Sequence, residues 1–157
     1  MRYQQINAFP SVILHDCSIR RVYTRKGDLV VELDDFGFFV LVPERDNYFR
    51  TGKTGPARLV FTDCDPDDLD IKEVRTHNLT EDQFFDSMYD LCPQDIGRRV
   101  NDGTVQLTFL EEYYAGRSAF FVLYVRDQDE SRYGLQVKIS YRTIRYEWDG
   151  VDLSAPF

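Results

Sequence analysis

Leu29-Val30-Val31-Glu32-Leu33-Asp34-Asp35-Phe36-Gly37-Phe38-Phe39-Val40-Leu41-Val42-Pro43 is the segment from which the class of this chain can be read. Leu29, Val31 and Leu33 share one face of an extended run whose other face carries Val30 and Glu32, the period of two that a strand imposes. The turn-forming Asp34-Asp35-Phe36-Gly37 then reverses the chain into Phe38 to Val42, so the two runs form a predicted hairpin. The second run is apolar on both faces, which predicts a strand covered from both sides. Pro43 ends it, because proline cannot donate to a ladder.

Strand patterns continue on either side. Glu44 to Pro56 is polar and contains glycine, so it reads as a loop before a short strand, Ala57 to Phe61. Another strand is expected from Leu69 to about Thr76, where Leu69, Ile71 and Val74 change phase once, as at a bulge or an early end. Val105, Leu107 and Phe109 alternate with Thr104, Gln106 and Thr108. Ala119 to Val125 is almost continuously apolar, and a polar turn from Asp127 to Arg132 leads into a long final strand with Leu135, Val137, Ile139 and Tyr141 on one face. Past Thr143 the apolar set becomes Ile144, Tyr146 and Trp148. That slip of one residue predicts a bulge near Thr143 and Ile144.

One helix is predicted, over Glu81 to Leu91. Thr80 and Gln83 have the spacing of a capping box, and Glu81 and Asp82 suit the positive end of a helix dipole. Phe84, Phe85, Met88, Leu91 and Cys92 form an apolar stripe, and Pro93 stops the helix. About nine strands and one amphipathic helix, without regular β-α alternation, point to a mainly β fold. The expected architecture is an antiparallel β-sandwich or partly open barrel with the helix packed across one face or end. The 157 residues suit a single domain, 1–157, with 43% hydrophobic residues to fill a core.

Charge and cysteine usage narrow the function classes. A formal net charge of −8 repels nucleic acid and anionic membrane at long range and favours a basic protein partner. Cys17, Cys64 and Cys92 are odd in number and lack a CxxC pair, and no apolar leader precedes them. They read as reduced thiols of a cytoplasmic protein. No run approaches the length of a membrane span, and the sequon Asn78-Leu79-Thr80 is then expected to stay unglycosylated.

Several side-chain groups invite chemistry. His15-Asp16-Cys17 suggests a cysteine nucleophile with a histidine base, but on a strand Asp16 would face away from the other two. His77 could complete such a site through tertiary contact; the alternative is a buried Cys17 acting as a small hydrophobe. Asp63, Asp65 and Asp67 resemble the start of a calcium loop, yet Asp68 stands where glycine is needed and Val74 where a bidentate glutamate is needed. A solvated acidic turn accounts for them. Zinc lacks paired ligands, Gly52-Lys53-Thr54 lacks the rest of a phosphate loop, and Glu111-Glu112 and Asp34-Asp35 lack the facing geometry of a glycosidase. Lys138 and Arg142 alternate with core positions, as on the wet face of a sheet. No cofactor is implied. Tyr48, Phe49, Tyr113 and Tyr114 are expected in or beside loops, where amphipathic rings anchor interfaces.

Leu14-His15-Asp16-Cys17-x-Ile19, followed by Leu29 to Leu33, Phe36-Gly37-Phe38, Ala57 to Phe61 and Asp63-Cys64, resembles a set of small uncharacterised β-rich bacterial proteins. These are similar in style to immunity proteins of contact-dependent toxin systems. The likeness covers about the first half of the chain and carries no catalytic residue. It implies an interaction role, with acidity suited to masking a basic toxin. The sequence therefore favours a non-enzymatic macromolecule-binding module, immunity-like or accessory. The alternative is a small-ligand-binding β-protein or an enzyme with a pocket near His15 and Cys17, built with His77 or Tyr146.

Overall fold

The computed structural model describes residues 1–128 and 132–154. Within them the strands are β1 (Tyr3–Ile6), β2 (Val12–Ile13), β3 (Ser18–Arg25), β4 (Asp28–Leu33), β5 (Phe39–Pro43), β6 (Phe49–Lys53) and β7 (Ala57–Phe61) in the first half. The second half adds β8 (Asp70–Asn78), β9 (Phe84–Leu91), helix α1 (Pro93–Asn101), β10 (Val105–Ala115), β11 (Ser118–Asp127), β12 (Arg132–Ser140) and β13 (Ile144–Trp148). Ten strands form one antiparallel sheet in the order β1-β13-β7-β4-β3-β10-β11-β12-β8-β9, and β2-β5-β6 form a small second sheet. Among the described residues the fold is mainly β and sandwich-like, with one α-helix and no closed barrel.

The large sheet curls on itself. β12 and β13 are joined through Tyr141-Arg142-Thr143, yet five strands separate them in hydrogen-bonding order. The two halves of the sheet therefore face each other, with the ring of Phe61 6.1 Å from Phe121 and 5.5 Å from Tyr141. The join is pinned by Thr62 N donating to Thr143 O and Arg142 N donating to Thr62 O. Between the halves lie Leu33, Leu59, Val125, Leu135, Ile144 and Tyr146, all fully buried. Burial of each aliphatic side chain stabilises the fold by about 1.5–3 kcal/mol before entropy is counted. The phase slip near Thr143 is therefore a change of sheet half rather than a bulge.

Two further expectations are corrected. The run Leu29 to Leu33 does not pair with Phe38 to Val42: β4 lies between β3 and β7, whereas β5 is the centre of the small sheet. The turn carries the chain between sheets, with Gly37 at φ +68°, so close to Gly55 that a Cβ would overlap its carbonyl oxygen. Turn residues specify a reversal but not which strands then pair. Glu44 to Pro56 is not all loop, because β6 pairs with β5 from Phe49 to Lys53. The turn expected from Asp127 to Arg132 lies in part, at 129–131, outside the described residues.

The largest correction concerns the helix. Phe84 to Leu91 is strand β9, paired with β8 from Asn78↔Phe84 to Ile71↔Leu91. Thr80 and Gln83 close the β8–β9 turn instead of capping a helix: Leu79 N and Thr80 N donate to Gln83 O, and Gln83 N donates to Thr80 O. The helix begins at Pro93, the residue expected to end one. Proline suits the first helical position, where its missing N–H would have no partner in any case. Ile96 and Val100 of α1 are buried against the sheet.

Candidate functional site

Leu14-His15-Asp16-Cys17 is a turn, not a strand, with Asp16 at φ 62°. It clasps β10 where that strand bulges between Phe109 and Glu111. Leu14 N donates to the Glu112 carboxylate (2.6 Å), His15 Nδ1 lies 2.7 Å from Leu110 O, Asp16 N donates to Phe109 O and Phe109 N donates to Cys17 O. The His15 and Asp16 side chains face solvent. Cys17 is buried, with Sγ 3.6 Å from His15 O. Burial, then the Glu112 and Asp34 carboxylates, push its thiol up to about 12. A thiol that keeps its proton is a poor nucleophile. His77 sits elsewhere, on β8, stacked on Phe85 with ring centroids 4.8 Å apart and Nε2 2.8 Å from Ser87 Oγ. The geometry thus does not bring His77 to the His15-Asp16-Cys17 turn.

The acidic stretch is similarly committed. Asp65 accepts from Asp67 N, Asp67 accepts from Gln94, and Asp63 pairs with Arg142 at 3.5 Å. Among the described residues no group of three His, Cys, Asp or Glu side chains is placed to hold a metal. Cys64 beside them is buried, and desolvation raises its thiol to about 11.

The four expected contact aromatics fall in three places. Tyr48 and Phe49 are exposed at the start of β6. Tyr113 is exposed within β10, not in a loop, and donates to Glu111 at 2.6 Å. Tyr114 faces the interior, against Phe9 and Phe121. Its hydroxyl donates to Glu112 and accepts from Tyr146, whose ring is fully buried. Desolvation raises the Glu112 carboxyl above its ordinary range despite the hydrogen bonds from Leu14 N and Tyr114.

The surface that sequence reasoning missed is β9. Among the described residues it is the last strand of the large sheet, pairs with β8 along one side and has no strand along the other. Phe84 (69% exposed), Phe85 (48%), Met88 (51%) and Tyr89 (57%) all face solvent. Since alternate residues point to opposite faces, Phe84 and Met88 lie on one face and Phe85 and Tyr89 on the other. From Leu79 to Leu91 the chain carries Glu81, Asp82, Asp86 and Asp90 and no lysine or arginine. The nearest cation, Lys72 of β8, lies 2.6 Å from Asp90. The signal was present in the sequence as Phe-Phe-Asp-Ser-Met-Tyr-Asp-Leu. Its strand formers were outweighed by a local helix-cap pattern.

Comparison of the chain with protein-family models, curated proteins and solved structures returned no match. No helix among the described residues is long and apolar enough to cross a membrane.

Proposed function

We propose that the chain is a non-enzymatic macromolecule-binding module that captures an extended, basic segment of a partner protein by strand addition along β9. The observation that carries this reading is the eight-residue edge strand whose large apolar side chains lie in solvent on both faces. Proteins usually blunt such edges with lysine, proline or a covering element, because unpaired backbone groups template further strands. Among the described residues β9 has no lysine, proline or covering strand, and its only charges, Asp86 and Asp90, oppose an acidic strand but not a basic one. An added strand gains main-chain hydrogen bonds, and its alternate side chains pack against Phe84 and Met88 or against Phe85 and Tyr89.

Charge selects the partner. Four carboxylates without a lysine or arginine on the same segment favour Lys and Arg flanking the incoming strand. They disfavour a second copy of β9, which would bring four carboxylates, two Asp86 and two Asp90, to one seam. The other edge of the sheet, β1, has only four residues and offers a shorter template. An immunity-like or accessory role in the cytoplasm, masking a basic partner, is the setting that this chemistry fits.

Calorimetry with two short peptides of alternating Val and Thr, one flanked by lysines and the other by glutamates, tests the proposal. The basic peptide is expected to bind and the acidic one not. Phe85→Lys with Tyr89→Lys should abolish binding while leaving the fold intact. Equal binding of both peptides, or unchanged binding by the double variant, would overturn it.

A further inference from the structure

Beneath α1 the two halves of the sheet leave an apolar cavity of about 90 Å³, walled by Val31, Phe61, Leu107, Leu135, Ile96 and Val100 among others. Outside the helix lies an open groove of about 1050 Å³. The two share Val22, Leu29, Leu69, Pro93 and Gly97 as lining residues. These residues border both spaces along one side of α1, and the cavity is only partly enclosed. A water needs two to four polar partners to be held in a buried space, and this lining is almost wholly aliphatic and aromatic. An apolar group fits it better. A dry cavity of about 150 Å³ takes benzene, so one of this size suits a short alkyl chain.

The groove gives the other half of the ligand. Asp63, Asp65, Asp67 and Asp102 line it with one cation in the lining, Arg98, which lies 3.4 Å from Asp95; Asp63 is also paired with Arg142, and Asp65 and Asp67 each accept one hydrogen bond. A head group seated at the mouth meets a field of negative sign, while a tail directed inward meets hydrocarbon. Gly97 stands on the shared rim, and a Cβ built there touches nothing within 4 Å. The helix therefore leaves open space where the two regions join.

We propose that this mouth binds a small cationic amphiphile, with a short alkyl tail under α1 and an amine head among the groove carboxylates. The site follows β9 closely in the chain but uses none of the edge residues Phe84 to Tyr89, and the variants that test it leave that edge untouched, so it stands or falls independently of strand addition. The probe is n-butylamine, with butyrate as its charge-reversed counterpart. Methyl-detected NMR is expected to show shifts of Ile96, Val100 and Leu69 on addition of the amine, with binding at least tenfold tighter than that of butyrate. Gly97→Leu, which fills the rim and favours helix, should abolish the shifts without lowering Tm. Gly97→Ala should retain them. Asp65→Asn with Asp67→Asn should bring the amine down to the level of butyrate. Absence of shifts at the α1 methyls in the unmodified protein, full binding by Gly97→Leu, or equal affinity for amine and butyrate would overturn the assignment.

Discussion

His15 Nδ1 lies 2.7 Å from the carbonyl oxygen of Leu110, the residue displaced at the β10 bulge. A bulge leaves backbone groups outside the ladder, and here a side chain from another segment supplies the partner. With Leu14 N on Glu112 and Asp16 N on Phe109 O, the turn acts as a clasp. His15→Ala is expected to reduce stability by about 0.5–1.5 kcal/mol, the ordinary worth of one hydrogen bond. Denaturant unfolding measures it.

The thiols should separate by burial. Cys17 and Cys64 are buried and held protonated, whereas Cys92 is exposed at the start of α1. Alkylation at neutral pH is expected to label Cys92 alone, with the other two reacting only after denaturation. Mass mapping of the labelled peptides reads the outcome. Rapid labelling of Cys17 in the folded protein would reopen a nucleophilic role for the clasp.

Tyr146 and Tyr114 form an asymmetric pair. Tyr146 donates to Tyr114, which donates to Glu112. Tyr146→Phe removes a donor and leaves the Tyr114 hydroxyl with its carboxylate, at a cost of about 0.5–1.5 kcal/mol. Tyr114→Phe instead strands the hydroxyl of the buried Tyr146, at a cost of about 1–3 kcal/mol. The order of the two midpoints in urea tests the direction of the chain of bonds.

Two carboxylates, the half-buried Glu112 and the buried Glu147, should give opposite pH slopes. Desolvation sets the Glu112 carboxyl above its unfolded value, so the folded state holds a proton that the unfolded chain releases. Its contribution to stability is lost as pH rises from the ordinary glutamate range through the folded value. Burial also opposes ionisation of Glu147, but hydrogen bonds from Arg145 and Arg58 outweigh it and hold that carboxyl low. Its stabilisation is present above the ordinary range and is lost as pH falls through the folded value. Glu112→Gln should remove the first slope and Glu147→Gln the second, as read from urea midpoints between acid and neutral pH. Arg58→Ala is expected to cost about 1.5–3 kcal/mol by taking a charged hydrogen bond from Glu147.

Much of the fold was legible where side-chain period alone suffices. Leu29, Val31 and Leu33 alternate because one face meets the core, and β4 lies where that pattern places it. Its partners were not legible, since a hydrophobic face fixes burial but not neighbours. β9 was misread because the Thr80 and Gln83 cap pattern is local, whereas the pairing with β8 that overrides it is tertiary. The clasp could not be derived either. Asp16 adopts a positive φ that aspartate tolerates but does not advertise, and the bulge it meets lies more than ninety residues away.

Strand addition at β9 is tested most directly by amide hydrogen exchange across Phe84 to Leu91, with and without the lysine-flanked peptide. In the free protein, alternate amides of β9 are expected to exchange rapidly, because their outward N–H groups meet water, while those of β8 are protected. Addition of the peptide should slow the outward-facing amides of β9 and leave those of β6 and β1 unchanged. Unaltered exchange along β9 at saturating peptide, or new protection at another edge, would contradict the account.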